Sequence, residues 1–364
     1  MKTVIGNSKK SDASAAVNEA ASNIQNPNLL IYITPYETLT EIAKLINDKF
    51  PGVPSIGTSG ISYFETEASD KELVIMAFGS DCEAQVGALR YLSSAPLYDI
   101  GGLKKAISKV SPGNEDTVCL EFCTNDEERL VSSMNAALEE RKVPLVGGTV
   151  YGVPEGKKSM VCVNGELFTD ACCYAVVKNK SGKIHTYSEN IYYADPGAKK
   201  HIATRVNLAK KELLTLDNRP AVDVYSEDTG LDKSKVAANA LEAPLGRVVG
   251  DEVFICSMYA TGSNGSLINY KRVNENDTIS VLKLGDYESI NNDTRNKIKA
   301  ENSKISFVFS VNCIYRHLLF SQKGHLSQFL GDMGSLGAHV GVVGGGEQYK
   351  RQHVNQTMIC AVFD

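Results

Sequence analysis

The sequence runs to 364 residues, a length that accommodates two domains of about 150 residues each. Lys and Arg total 38 against 43 Asp and Glu, so the net charge is −5 and no basic field exists to hold a phosphate backbone, which argues against dedicated nucleic-acid binding. Hydrophobic residues make up 43% and charged residues 22%, so a large core is available and global disorder is excluded.

Residues 1–27 read as a helical lead-in. No apolar run approaches the roughly 18 residues of a membrane span, and the segment Met1 to Lys10 lacks the apolar core of a secretory signal. A soluble, cytoplasmic protein without membrane insertion is expected. From Asn28 onward strands and helices alternate. Asn28 to Thr34 reads as a buried strand and Thr38 to Phe50 as a helix ending before Pro51-Gly52. Glu72 to Phe78 and Thr117 to Cys123 are further strands. The clearest helix follows, with Thr124 and Glu127 as a capping box and Leu130, Val131, Met134, Ala137 and Leu138 as its apolar stripe. Pro144 places its end near Lys142. Met160 to Val163 and Ala171 to Lys178 read as strands joined through the hairpin turn Asn164-Gly165.

Breakers between Tyr192 and Asn218, including Asp195-Pro-Gly, mark a boundary that divides the chain into domains at 28–200 and 201–364. Beyond it a helix starts after Pro220, strands follow at Glu252 to Tyr259, Ser266 to Arg272 and Thr278 to Lys283, and a helix runs to about Ala300. Ile305 to Val311 is a buried strand, and Thr357 to Phe363 reads as an inner strand although it ends the chain. Three glycine turns recur, at Ile56 to Gly60, Val146 to Gly152 and Val343 to Glu347, each preceding a β-type segment. Their placement in both halves points to two related sheets whose backbone loops meet.

Residues able to carry chemistry are few. The nine cysteines lie mostly in apolar stretches and form no C-x-x-C pair, so they read as small buried hydrophobes. No G-x-x-x-x-G-K-[ST] occurs, and Gly331-x-x-Gly334-x-x-Gly337 follows a helical segment instead of opening one, so nucleotide binding has no support. Four of the six histidines fall between His317 and His353, a clustering that metal or haem ligation needs, although no H-x-x-x-H spacing is present. Cys313 stands three residues before Arg316, whose charge would favour a thiolate or whose fork would hold a ligand carboxylate. Glu347 follows three glycines, where it would meet a ligand amine or accept bonds from its own turn.

In chain order, Cys313-x-x-Arg316, Gly341-x-x-Gly344-Gly-Gly-Glu347 and His353-Val-Asn-Gln-Thr357 resemble the C-terminal half of the FIST sensory domain. That family carries C-x-x-R, a glycine turn ending in G-E and an H-N-x-T strand start. Ile56 to Ile61 and Val146 to Gly152 are similar to motifs of its N-terminal half, and Asn218 to Val222 to the linker between the halves. The resemblance spans residues 28 to 363. The chain departs from the pattern at Ile61, Val342 and Val354.

The resemblance implies a sensor of a small, amino-acid-like or other metabolite, with no output domain of its own. It would signal through a separate histidine kinase, chemoreceptor or cyclic-di-nucleotide enzyme. The expected fold is α/β (mixed α+β), two related domains with mixed, largely antiparallel sheets flanked by helices and a ligand cleft between them. Backbone N–H groups at Thr58, Ser59, Gly60, Gly147, Gly148, Gly345 and Gly346 would line the cleft. Arg316 would take a carboxylate, Glu347 and Asn355 an amine, and Thr58, Thr149 and Thr357 would offer hydroxyls, with Cys313 beside them. No cofactor is expected on this reading. Two alternatives stay open: a haem-based nitric-oxide sensor ligated by His353 or His339, and an enzyme dependent on Cys313.

Overall fold

A computed structural model describes residues 1–250 and 252–364. The chain opens with β1 (Thr3–Ser8), α1 (Ala13–Ala20), β2 (Leu29–Thr34), α2 (Leu39–Lys49), β3 (Ser55–Ser59), β4 (Ser62–Phe64), β5 (Glu67–Ser69) and β6 (Leu73–Phe78). It continues through β7 (Cys82–Arg90), α3 (Ile100–Val110), β8 (Thr117–Cys123), α4 (Glu127–Leu138), β9 (Leu145–Val150), β10 (Val161–Val163), β11 (Glu166–Phe168), β12 (Ala171–Asn179) and β13 (Ile184–Asn190). The middle holds β14 (Tyr192–Tyr193), β15 (His201–Asn207), β16 (Glu212–Leu216), β17 (Arg219–Pro220), α5 (Ala221–Thr229), β18 (Leu245–Val249), β19 (Glu252–Cys256), β20 (Met258–Thr261), β21 (Leu267–Asn269), β22 (Thr278–Val281) and β23 (Lys283–Leu284). Last come α6 (Tyr287–Glu301), β24 (Phe307–Cys313), α7 (Ile314–Gln322), α8 (Leu326–Gly334), β25 (Ala338–Tyr349), β26 (Gln352–Val354) and β27 (Thr357–Phe363).

Among the described residues three larger sheets form, beside a two-stranded pairing of β14 with β23. A six-stranded sheet has the order β1-β6-β2-β3-β10-β11, and an eleven-stranded sheet carries β13-β27-β24-β25-β9-β8-β12-β7 along its main path. The two pack face to face over one core, in which Ile31, Ile56 and Met76 of the first meet Leu120, Phe122 and Phe309 of the second. Helices α1 and α2 cover the outer face of the first sheet. The outer face of the second is covered by α3 and α4 at one end and by α6 to α8 at the other. Being covered on both faces explains why β2, β6 and β27 read as unbroken apolar or small-residue runs without alternation. The third sheet, β19-β18-β22-β15-β16-β21-β20, forms with α5 a smaller unit around its own core.

The mixed α/β architecture is the expected one, and the order of the large sheet contains its logic. β8 is parallel to β9 and antiparallel to β12; β24 is parallel to β25 and antiparallel to β27. The sequence β7-β12-β8-β9 is therefore mirrored by β13-β27-β24-β25, and the two repeats meet where β9 and β25 pair antiparallel. A pseudo-two-fold axis passes through that seam. The expected pair of sheets facing each other across a cleft is replaced by one continuous sheet, because backbone hydrogen bonds join the halves edge to edge.

Other expectations change with tertiary context. Residues 1–27 are not helical throughout: Thr3–Ser8 is an edge strand paired with β6, and α1 packs so tightly on it that a Cβ on Gly6 would lie 1.7 Å from the Ala20 carbonyl oxygen. The Asn164-Gly165 turn does form a hairpin, but it joins β10 to the short β11, while β12 leaves for the other sheet. The capping box does not form. Asp126 occupies the N-cap in the left-handed region, Thr124 Oγ1 donates to the Ala171 carbonyl, and Glu127 is drawn elsewhere. The expected strand over Glu252 to Tyr259 breaks at Ser257 into β19 and β20. Thr357–Phe363 is an inner strand, held between β13 and β24. Among the described residues no helix is long and apolar enough to cross a membrane.

Candidate functional site

The seam brings the three glycine segments together. Gly344 pairs with Val150 and Glu347 with Gly148, and the register shift between them makes a bulge at Gly345 and Gly346. A Cβ on Gly148 would lie 2.6 Å from Val311 Cγ1, and one on Gly345 would lie 3.7 Å from Thr149 Cβ. One on Gly60 would lie 3.5 Å from the Tyr151 carbonyl oxygen and 3.7 Å from Val342 Cγ2. Gly147 makes room for a different group. The Glu121 carboxyl lies over it, so a Cβ there would be 2.2 Å from Glu121 Oε1. Thr58 and Ser59 lie on β3 in the other sheet. Thr58 Oγ1 donates to the carbonyls of Ser59 and Met160, and Ser59 Oγ is buried without a partner.

Two polar clusters flank the bulge. In the first, Gln348 Nε2 donates to Thr149 Oγ1 (3.2 Å) and to His353 Nδ1 (3.1 Å), and Thr149 Oγ1 donates to Glu127 Oε1 (3.3 Å). Glu127 also accepts from Lys211 Nζ at 2.9 Å, and Cys123 Sγ lies 3.7 Å from Gln348 Oε1. Burial alone would push the Glu127 carboxyl up, but the Lys211 ammonium bonded to it outweighs this and holds the group below its usual range. His353 is pushed down to about 4 by burial and is neutral. Since its Nδ1 accepts, its Nε2 carries the proton, and that donor has no partner.

In the second cluster Glu347 Oε2 accepts from the Thr357 hydroxyl (2.7 Å) and the Thr357 amide (3.3 Å), while Oε1 is unpartnered. Burial raises the Glu347 carboxyl to about 8, against the lowering effect of those bonds. Cys313, on the far side of Glu347, has its thiol pushed well up by burial and by the carboxyl beside it. Burial therefore disfavours the thiolate form of Cys313. Asn355 lies against Gly346, and both its amide atoms are buried and unpartnered.

Arg316 lies near enough to the second cluster for its charge to lower the Glu347 carboxyl. It is fully buried between α7 and the sheet, where it pairs with Glu189, which also accepts from Asn291 Nδ2 at 2.7 Å. Its guanidinium carbon sits 4.6 Å from the Phe320 ring centroid and 5.2 Å from that of Phe329, with Nε and Nη1 left unpartnered. Glu189 thus takes one nitrogen of the fork and leaves the other two without a partner. His339 is buried with its Nε2 bonded to Ser310 at 2.8 Å. His339 Nδ1 is left without a partner, and His353 is flanked by the polar side chains of Gln348 and Asn355 and by Gly346.

The residues missed from sequence are Glu127, Gln348, Lys211 and Glu189. Glu127 was legible only as a helix-start acid, and the others carry no local pattern at all.

Fold and seam together define a two-domain α/β protein built from paired repeats with a polar, glycine-lined junction. The family model for the FIST N domain matches residues 28–219 and that for the FIST C domain residues 221–350. The chain belongs to the FIST family, whose domains are signal-transduction sensory domains. No curated protein matches it significantly.

Proposed function

We propose that the protein is a sensory domain that takes a small polar metabolite, amino-acid-like in its donors and acceptors, at the bulge where the two repeats meet. The observation that carries this reading is the set of buried polar atoms left without partners there: Glu347 Oε1, His353 Nε2 and both amide atoms of Asn355. Buried polar groups are nearly always satisfied, so four around the bulge, three of them beside Gly346 and one on Glu347, call for water or a ligand. Gly345 and Gly346 keep side chains out of the same space. Thr149, Gly147, Gly148 and Gly60 act as walls, and Arg316 acts from behind through its pair with Glu189. The protein works in the cytoplasm without a nucleic-acid or membrane partner and passes its state to a separate signalling protein of the kinase, chemoreceptor or cyclic-di-nucleotide class. A ligand signals only if it favours one arrangement of the two repeats over another.

Calorimetry against a panel of amino acids and related metabolites tests this. Asn355→Leu and Glu347→Gln are expected to weaken binding about tenfold or more, a loss of the size expected when a buried hydrogen bond is removed. A ligand bound equally by wild type and both variants would place the site elsewhere.

A further inference from the structure

The large sheet ends at β7, and the hydrogen bonds around it show which of its backbone groups are free. Lys180 N donates to the Asp81 carbonyl, continuing the register of β7 with β12, and Thr124 N donates to the Ala171 carbonyl, continuing that of β8 with β12. Because bonded pairs alternate in antiparallel ladders, both observations assign the odd-numbered residues of β7 to β12 and turn the even-numbered ones outward. At the ends these outward groups are taken: Cys82 N donates to the Gly79 carbonyl, the Cys82 carbonyl accepts from Asn28, and Arg90 N donates to Asp99. Gln85 Nε2 covers the Ala84 carbonyl. Between the caps, the amides and carbonyls of Val86 and Ala88 have no partner among the described residues.

The surroundings keep this stretch open. Gln85 and Val86 line a cavity of about 520 Å³ on the α3 side and another of about 270 Å³ on the side of Val53 and Asn164. On the α3 side Gly101 has nothing within 4 Å of a built Cβ, and Gly87 is fixed as glycine by the Tyr174 hydroxyl, so the groove stays shallow-walled. Its charge is one-sided. Lys105 and Lys109 line it from exposed positions on α3, and Lys180 lies across the strand; none of them pairs with a carboxylate among the described residues. Asp99 is held by Arg90, and Glu83 at the strand's start is the opposing charge.

We propose that β7 is a strand-addition site for an extended acidic segment of a partner protein, docked antiparallel or parallel on the amides and carbonyls of Val86 and Ala88 with its carboxylates on Lys105 and Lys109. Main-chain bonds supply the attraction and the lysines the selection. A second copy of the chain fits less well, because pairing β7 with itself brings the basic faces of two α3 helices together. Occupancy of this edge does not depend on whether the seam takes a ligand.

The test uses the full chain and two acetylated octapeptides, one alternating Glu with Val and one alternating Lys with Val. Saturable binding of the acidic peptide is expected, with exchange of the Val86 and Ala88 amides slowed about tenfold and affinity lowered about tenfold in Lys105→Glu/Lys109→Glu, whose exposed changes leave the fold intact. Val86→Pro, which removes an outward N–H that β12 does not use, is expected to abolish binding. Failure to saturate by about 1 mM, equal binding of both peptides, or unchanged affinity in the lysine double variant would each overturn the proposal. So would a dimer in sedimentation that is lost in Val86→Pro and kept in the lysine variant, since a second copy would then own the edge.

Discussion

At the scale of single residues, the seam is governed by groups whose protonation the fold has fixed. Glu347 is held at about 8 against an ordinary 4.5, so the folded protein keeps a proton that the unfolded chain releases. Stability therefore falls as pH rises from about 4.5 toward 8 and levels off above, a change on the order of a few kcal/mol. Glu347→Gln removes that slope, measurable by denaturant titration across the range. His339 and His353 have the opposite sign. Both are pushed down to about 4 by burial, so stability is lost as pH falls from 6.5 toward 4, and His339→Gln flattens that acid limb. A ligand that brings an ammonium to Glu347 must displace its proton; calorimetry in buffers of different ionisation enthalpy would then show about one proton released per ligand near neutral pH. Gly346→Ala is expected to destabilise by about 1–3 kcal/mol, because its Cβ would lie 2.4 Å from His353 Cε1. Thermal melting checks this.

At the scale of elements, α4 is the tie between the small third sheet and the seam. Glu127 at its start holds Lys211, in the turn between β15 and β16, and Glu128 holds Arg272 at 2.8 Å. Both bridges are largely shielded from water, so they couple the unit at 201–281 to the residues that contact His353 and Gln348. Lys211→Met leaves the Glu127 carboxylate buried without its cation and is expected to cost about 1–3 kcal/mol. Hydrogen exchange should show faster opening of β15 and β16, with β8 and β24 unchanged. If a ligand at the bulge shifts the two repeats, this pair of bridges is where the third sheet would register it.

At the scale of the molecule, the shared sheet makes the halves interdependent. β13 belongs by position to the first family segment yet pairs with β27, the last strand of the chain, and β9 depends on β25 for its second neighbour. Residues 28–219 expressed alone would expose the β9 edge and strand β13 without a partner. Such a fragment is expected to aggregate and to be recovered in soluble form when the remainder of the chain is co-expressed. A soluble, cooperatively folded fragment would contradict the pairing. Removal of residues 1–10 strips β1 from the six-stranded sheet, and Met1 from its core, with a lower melting temperature expected.

What the sequence determined by itself is whatever depends on local chemistry. The buried strands, the helix over Thr38 to Phe50, the closing strand and the glycine turns follow from apolar runs and breakers, and the order of short motifs identified the family. Tertiary structure alone decided the rest. Whether two repeats face each other or fuse along one edge depends on hydrogen bonds between β9 and β25, which no local pattern encodes. Arg316 reads as a free ligand fork until Glu189, over a hundred residues away, takes one of its nitrogens. Glu127 reads as a cap until Lys211 and Thr149 draw it into the seam. The physical reason is common to all three cases: a charged or polar group takes the partner that burial brings to it, and burial is a property of the assembled core.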